Sequence, residues 1–190
     1  MHDPTQALLL YFVMPVWFLA GLADYLCHRA TDIEHNAGPK ESLIHLVMFG
    51  EFAVPILMCL FFEINALIFA VMIIAFLAHE ATALWDVSYA IERRYVSPLE
   101  QHVHSFLEMI PLMAGLIVAI QHWEQFLALF GLGRETARFA LQLKPEPLPL
   151  LYIVLVLGST LMLDLLPYLE ELWRGVRARS ALSRSSFHGR

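Results

Sequence analysis

Six of the nine histidines in this chain fall near one end of the apolar segments that divide it, and carboxylates accompany them. They are His28, His35, His45, His79, His102 and His104. Imidazole nitrogens and carboxylate oxygens together suit iron, zinc and copper. Ionisable groups are costly at the edge of the hydrocarbon region unless they are partnered, so a recurrent layer of them indicates a functional site.

Carboxylates and histidines in this layer recur at the spacing of one or two helical turns. The sets are Asp24/His28, Glu41/His45, Glu100/His104/Glu108 and His79/Asp86. Side chains four or seven residues apart project from the same face of a helix, so each set predicts one polar face. At ~1.5 Å of rise per residue, the four sets reach a similar depth. The pattern therefore predicts one shared site on four helices.

The ligand types predict two metal ions at this site, with iron as the first expectation and zinc as the second. The candidate metal ligands are Asp24, His28, His35, Glu41, His45, His79, Asp86, Glu100, His102, His104 and Glu108. Glu51 and Glu80 are expected to serve catalysis by orienting the ligands from outside. Because His102 lies two residues from His104, it faces another side of the helix and could reach only a different ion or a distorted helix start.

Structural roles compete with metal binding for several of these residues. Glu41 and Glu100 each follow a proline by two residues, the position at which a glutamate completes a helix cap. Asp24, Asp86 and Asp164 could instead pair with Arg29, Arg93 or Arg94 at the level of the lipid headgroups. These alternatives remain open from the sequence.

Five apolar segments must position the site. The chain has 190 residues, of which 58% are hydrophobic and only 16% charged, against roughly 25% charged residues in soluble domains. This composition predicts an all-α integral membrane protein with spans at 5–30, 39–62, 64–92, 98–129 and 148–175. Residues 1–175 form a single transmembrane domain, and the Ser- and Arg-rich segment 176–190 is expected to be a disordered basic tail.

The helix order and the charges predict an arrangement. Gly38-Pro39-Lys40-Glu41 and Ser97-Pro98-Leu99-Glu100 start two helices in the same way, which predicts two comparable hairpins in a four-helix bundle with a peripheral fifth helix. Nine of the twelve lysines and arginines fall on the side of the histidine layer. The positive-inside rule therefore predicts an external N-terminus and a cytoplasmic C-terminus, in a bacterial inner (plasma) membrane.

The expected function is that of a non-haem di-metal oxidoreductase or hydroxylase. Its cytoplasm-facing site would oxidise an apolar, lipid-like substrate and take electrons from a donor. Three alternatives remain open: a membrane-embedded zinc hydrolase that uses metal-bound water, a b-type haem protein with paired histidines, and a cation carrier with polar groups across the whole membrane. Membrane lipids are expected partners, and nucleic acids are not.

Overall fold

The computed structural model describes residues 4–188, with side chains as far as Ala181, and the regular elements in this range are all helices. Five of them are long and apolar enough to cross a membrane, which indicates a membrane protein. These five are α1 (Pro4–Ala30), α3 (Pro39–Phe61), α4 (Ala66–Ile91), α5 (Pro98–Gln121) and α7, which begins at Leu150. Two short helices, α2 (Ile33–Asn36) and α6 (Trp123–Leu129), lie in the connections.

The last helix is longer than the sequence predicted. The α7 helix contains a π-helical turn at Thr160–Leu165 and then continues as Leu166–His188. The segment from residue 176 onwards, which was expected to be disordered, is therefore helical as far as His188. The final two residues of that predicted tail, 189 and 190, lie outside the described part of the chain.

The proline-started helices begin where the sequence predicted. The Ser97 Oγ accepts a hydrogen bond from the Glu100 backbone N–H at 3.1 Å, and Pro98 is the first residue of α5. Before α3, Gly38 has φ +73°, a left-handed conformation that favours glycine, and Pro39 follows it. Both starts lie at the same end of the bundle, which places His45 and His104 at a similar depth.

The α7 helix is not peripheral, in contrast to the prediction. It packs against α2 and α3, and its π-helical turn packs against α1. Its side chains Asp164, Tyr168 and Glu171 are buried between these helices. The prediction failed because it considered only the helices that carry histidine. The positions 164, 168 and 171 share one helix face. Polar side chains are costly against lipid, so this face packs against the polar groups of the other helices.

Two apolar clusters pack in the half of the bundle opposite the layer of six histidines. One contains Met14, Phe18, Leu60, Tyr152 and Val156, and the other contains Ile64, Ile68, Phe69, Val118 and Ala119. We call this half the far end, and we call the half that carries His28 and His45 the polar end. The apolar far end fixes the relative positions of the helices that supply the polar groups.

Gly21 lies where α1 packs against Asp164 of α7, and this contact gives a stability prediction. A Cβ atom at Gly21 would collide with the buried Asp164 carboxylate, whereas one at Gly50 on α3 would meet no atom within 4 Å. Alanine is favoured over glycine in a helix by about 1 kcal/mol. We therefore expect Gly50→Ala to maintain or raise the apparent melting temperature in detergent and Gly21→Ala to lower it. Equal effects of the two substitutions would contradict this α1–α7 contact.

Candidate metal centre

Two stacked imidazoles form the middle of the polar end. The rings of His28 on α1 and His45 on α3 have centroids 4.4 Å apart and an interplanar angle of 11°. Their Nδ1 atoms lie 3.1 and 3.2 Å from the two carboxylate oxygens of Glu171 on α7. Because an ionised carboxylate only accepts hydrogen bonds, both Nδ1 atoms donate to Glu171, and in the neutral imidazole each Nε2 atom then carries the lone pair that could bind a metal.

Carboxylates and a third histidine face these two Nε2 atoms. Asp24 Oδ2 lies 3.4 Å from His28 Nε2, and Asp86 Oδ1 lies 3.2 Å from His45 Nε2. The Nε2 atom of His104 lies 2.9 Å from Asp24 Oδ1. Within the described residues, neither the two Nε2 atoms nor Asp24 Oδ1 and Asp86 Oδ1 form a hydrogen bond of acceptable geometry.

Buried polar atoms without hydrogen bonds need an explanation, because nearly all buried polar groups in native proteins have a partner. Here the unsatisfied atoms are imidazole nitrogens and carboxylate oxygens that converge, which is the arrangement of a metal ligand set. Two groups of three side chains can each offer ligand atoms within 4.8 Å of one another: Asp24/His28/His104 and His28/Glu41/His45. The ring separation of 4.4 Å is comparable to the ~3.5–4 Å between ions in two-metal sites.

A buried arginine joins two further carboxylates of the predicted ligand set. Arg94 Nη2 lies 2.5 Å from Glu41 Oε1 and 2.6 Å from Glu100 Oε1. Burial by itself would lower the pKa of Arg94, but the hydrogen bonds that Arg94 donates to Glu100 and Glu41 outweigh it and raise this pKa above its usual value. The Oε2 atoms of both glutamates are buried without a hydrogen bond among the described residues. These carboxylates therefore bind Arg94 and keep one oxygen each for a further ligand.

The proposed pairing of Asp24 and Asp86 with arginines is wrong. Arg29 pairs with Glu170 at 3.3 Å, and Arg93 pairs with Glu92 at 3.2 Å. The third arginine, Arg94, is engaged with Glu41 and Glu100. The two aspartates contact histidines instead, because both project inward from their helices.

The Arg94 bridge gives a second stability prediction. Lysine at position 94 keeps the charge but lacks the planar fork that holds both glutamates. Loss of a hydrogen bond between charged groups costs about 1.5–3 kcal/mol. We therefore expect Arg94→Lys to lower the apparent melting temperature by roughly 3 to 12 °C, measured by circular dichroism in detergent.

The matched control is Arg93→Lys, because the Arg93 side chain is partly exposed and its ion pair with Glu92 is a surface contact. Surface pairs contribute about 0–1 kcal/mol, so this variant should unfold close to the wild type. Equal melting temperatures for the two variants would show that the Arg94 bridge does not hold the polar end together.

A second polar layer lies deeper than the stacked pair. His79 Nδ1 is 3.6 Å from Glu51 Oε2, and Glu51 Oε1 accepts a hydrogen bond from Thr82 at 2.7 Å. Neither ring nitrogen of His79 has a hydrogen bond among the described residues. Glu80 has one buried oxygen without a partner, and Glu108 lines the adjacent cavity. The structure thus places His79 and Glu108 on the cavity next to the centre and Glu51 beside His79, all outside the innermost set, whereas Glu80 does not line that cavity.

Two predicted ligands lie away from the centre. His35 is exposed on α2, where it neighbours Asp32 and Glu34. His102 is exposed on α5, and its ring contacts Phe106 with centroids 5.3 Å apart. The depths of His102 and His104 along the helix differ by only about 3 Å, but the helix turns through about 200° between them. The predicted ligand set was therefore too large, because it was chosen by depth along the helices and not by direction.

Glu171 and Tyr168 are site residues that the sequence analysis missed. The Tyr168 hydroxyl donates to Asp24 Oδ2 at 3.2 Å, and Glu171 holds both stacked imidazoles. No histidine lies near them in sequence. The available signal was the spacing of Asp164, Tyr168 and Glu171 at i, i+4 and i+7 in an otherwise apolar segment.

An apolar cavity opens directly onto the cluster. Its volume is about 320 Å³, within the range of ligand pockets. Asp24, His45, Asp86 and His104 line one end, and apolar side chains such as Phe52 line the rest. The π-helical turn at Thr160–Leu165 forms part of the wall, and such turns are frequent at functional sites. The cluster therefore faces a space suited to hydrocarbon.

Comparisons with protein families, with curated proteins and with solved structures found no match to this chain. The function is therefore argued from the chemistry of this site.

Proposed function

We propose that the chain is an integral-membrane non-haem oxidoreductase that holds two metal ions, with iron as the first candidate, and acts on an apolar, lipid-like substrate. The observation that carries the proposal is the stacked pair His28 and His45. Their Nδ1 atoms share one carboxylate, and their Nε2 atoms face Asp24 and Asp86. A carboxylate behind a histidine is the usual outer-shell partner of a metal ligand.

In this proposal each ion takes its own subset of ligands. His28, His104 and Asp24 hold one ion, and His45 and Asp86 hold the other. The free oxygens of Glu41 and Glu100 are available to complete or bridge the two coordination shells. A mixed set of imidazole and carboxylate suits iron, while the absence of thiolate from this set does not favour a structural zinc site.

Iron in such a site supplies the activation of dioxygen, and the protein supplies position and a dry environment. The buried helices exclude water from the stacked pair, since His28 has no exposed surface and His45 only 5%. The cavity would hold a hydrocarbon segment next to Asp86 and His104, which line it. The Tyr168 hydroxyl holds Asp24 in place. Asp24 is the proposed ligand that lies between His28 and His104.

The orientation follows from the same proposal. The polar end carries most of the lysines and arginines, so it would face the cytoplasm of a bacterium, with the chain in the plasma membrane. An electron donor would then approach from the cytoplasmic side. Membrane lipids would surround the bundle and give the substrate access to the cavity.

Two alternatives fit the geometry less well. Axial histidines of a b-type haem need the porphyrin between them, and rings stacked at 4.4 Å leave no such gap. A cation carrier needs polar groups along the whole path, whereas two apolar clusters fill the far end. A zinc hydrolase would use the same ligands, so the metal itself must discriminate between it and the oxidoreductase.

The test is elemental analysis together with an absorption spectrum of the purified full-length protein. Iron near two ions per chain without a Soret band would support the proposal. Zinc as the only metal would replace it with hydrolysis by metal-bound water. A Soret band would establish a haem protein and overturn it.

A further inference from the structure

A second cavity lies in the far end of the bundle, between α1, α3, α4 and α5. Its volume is about 390 Å³, and its lining is almost entirely apolar. Trp17, Phe52 and Ile56 line this cavity and also the cavity at the metal cluster. The rings of Trp17 and Phe52 meet edge to face with centroids 5.1 Å apart. The two cavities therefore adjoin at this aromatic pair, in line with the long axis of the bundle.

A lysine lines the second cavity. Lys144 belongs to the segment between α6 and α7, and its backbone N–H donates to the Phe61 carbonyl at the end of α3. The neighbouring Leu143 forms an isolated bridge with Phe62, and Gln142 accepts a hydrogen bond from the Glu63 N–H at 2.8 Å. This segment is therefore fixed against the far end, and Lys144 has a defined position.

The ammonium group of Lys144 has no carboxylate within 4 Å among the residues that the structure describes. Its side chain is only partly exposed, and burial lowers the pKa of Lys144. Burying a charge without a partner is unfavourable, so a ligand that brings one negative charge would be stabilised here. The remaining polar groups of the lining, such as Gln121 and His122, bring no negative charge that could take this place.

We propose that the second cavity binds a single-chain amphiphile with a carboxylate headgroup, the fatty-acid class, with the headgroup at Lys144 and the chain directed past Trp17 and Phe52 toward the metal cluster. One ammonium matches one carboxylate. A role of this amphiphile as the substrate rests on the proposed oxidoreductase function. Its binding in the second cavity does not depend on that function.

The distance between the two ends sets which carbons reach the metal cluster. Lys144 adjoins Phe61, and His45 lies sixteen residues earlier on α3, ~24 Å away at the rise of a helix. This separation exceeds half of the ~30 Å hydrocarbon core, so the chain must be long and extended. The carbons next to His45 and Asp86 are then those far from the carboxylate.

The experiment uses the full-length protein and a sixteen-carbon fatty acid that carries a photoreactive diazirine at its methyl end. The matched probe is the alcohol of the same length with the same diazirine. We expect the acid to label residues that line only the cavity at the polar end, such as Met48 and Ala83, and the alcohol to label them weakly. Lys144→Gln should weaken labelling by the acid about tenfold, while Lys144→Arg should retain it.

Arg134→Gln is the matched control variant, because Arg134 is exposed in the same segment and does not line the cavity. The acid should label this variant as strongly as the wild type. Equal labelling by acid and alcohol, no effect of Lys144→Gln, or labels confined to lipid-facing residues would overturn the proposal. The last result would indicate bilayer lipid or detergent contacts only.

This test separates the binding proposal from the metal proposal. His28→Ala, which should lose metal, should still be labelled by the acid at the same residues. Wild-type protein that binds the acid as described but purifies without metal would sustain the cavity assignment and overturn the oxidoreductase. Protein with two iron ions but no Lys144-dependent labelling would do the reverse.

Discussion

Replacing His28 by alanine is expected to remove most of the bound metal from the purified protein. His28 belongs to both groups of side chains at the polar end that could hold an ion, and it is fully buried. Loss of an outer-shell partner typically costs 10- to 100-fold in metal affinity, so loss of a direct ligand should cost more than about 100-fold. Metal content is measured by elemental analysis after dialysis, on protein with unchanged helical content by circular dichroism.

Two further variants make this prediction specific. His102→Ala removes an exposed histidine at the same depth and should leave the metal content unchanged. His104→Ala removes a ligand that is less buried than His28, so it should lose metal with a smaller risk to folding. Retention of metal in both His28→Ala and His104→Ala would show that the ligand assignment is wrong.

Replacing Glu171 by alanine should weaken metal binding by about 100-fold, although Glu171 is not itself assigned as a ligand. One carboxylate orients two imidazoles, and each lost outer-shell contact costs 10- to 100-fold. Glu171→Gln should have an intermediate effect, because the amide oxygen can accept from one Nδ1–H while the amide nitrogen cannot accept from the other. Affinity is measured by competition with a chelator of known strength.

Glu170→Gln is the control for this prediction. Glu170 is the neighbouring residue on α7, but it contacts Tyr25, Arg29 and Arg174 and not a histidine. The Glu170→Gln variant should bind metal with the same affinity as the wild type. If Glu171→Ala lowers the melting temperature but leaves metal affinity unchanged, Glu171 has a packing role only, and the orienting role is contradicted.

The sequence predicted the helices well because their signals are local. Long apolar runs mark the spans, and Ser97 with Pro98 marks the start of α5, which a hydrogen bond to the Glu100 N–H confirms. The spacing of Asp24 and His28 by four residues correctly placed both on one inward face. These features depend only on residues within one or two helical turns of each other, so a single sequence is enough to predict them.

The contacts between distant segments could not be predicted in the same way. Glu171 lies 143 residues from His28 along the chain, and no local pattern relates the two. Arg94 resembled a headgroup anchor, but the approach of the α3 and α5 starts places it between Glu41 and Glu100. His102 shared the depth of His104 but not its direction. Depth follows from counting residues, whereas the facing partner depends on the packing of all five helices.

The most direct test of the metal centre is anomalous X-ray scattering from crystals of the purified protein, recorded at the absorption edge of the metal found by elemental analysis. We predict two peaks about 3.5–4 Å apart, one beside the Nε2 atom of His28 and one beside that of His45, with Glu171 on the opposite side of both rings. A well-ordered polar end without such peaks, or a peak only at the exposed group Asp32, Glu34 and His35, would contradict it.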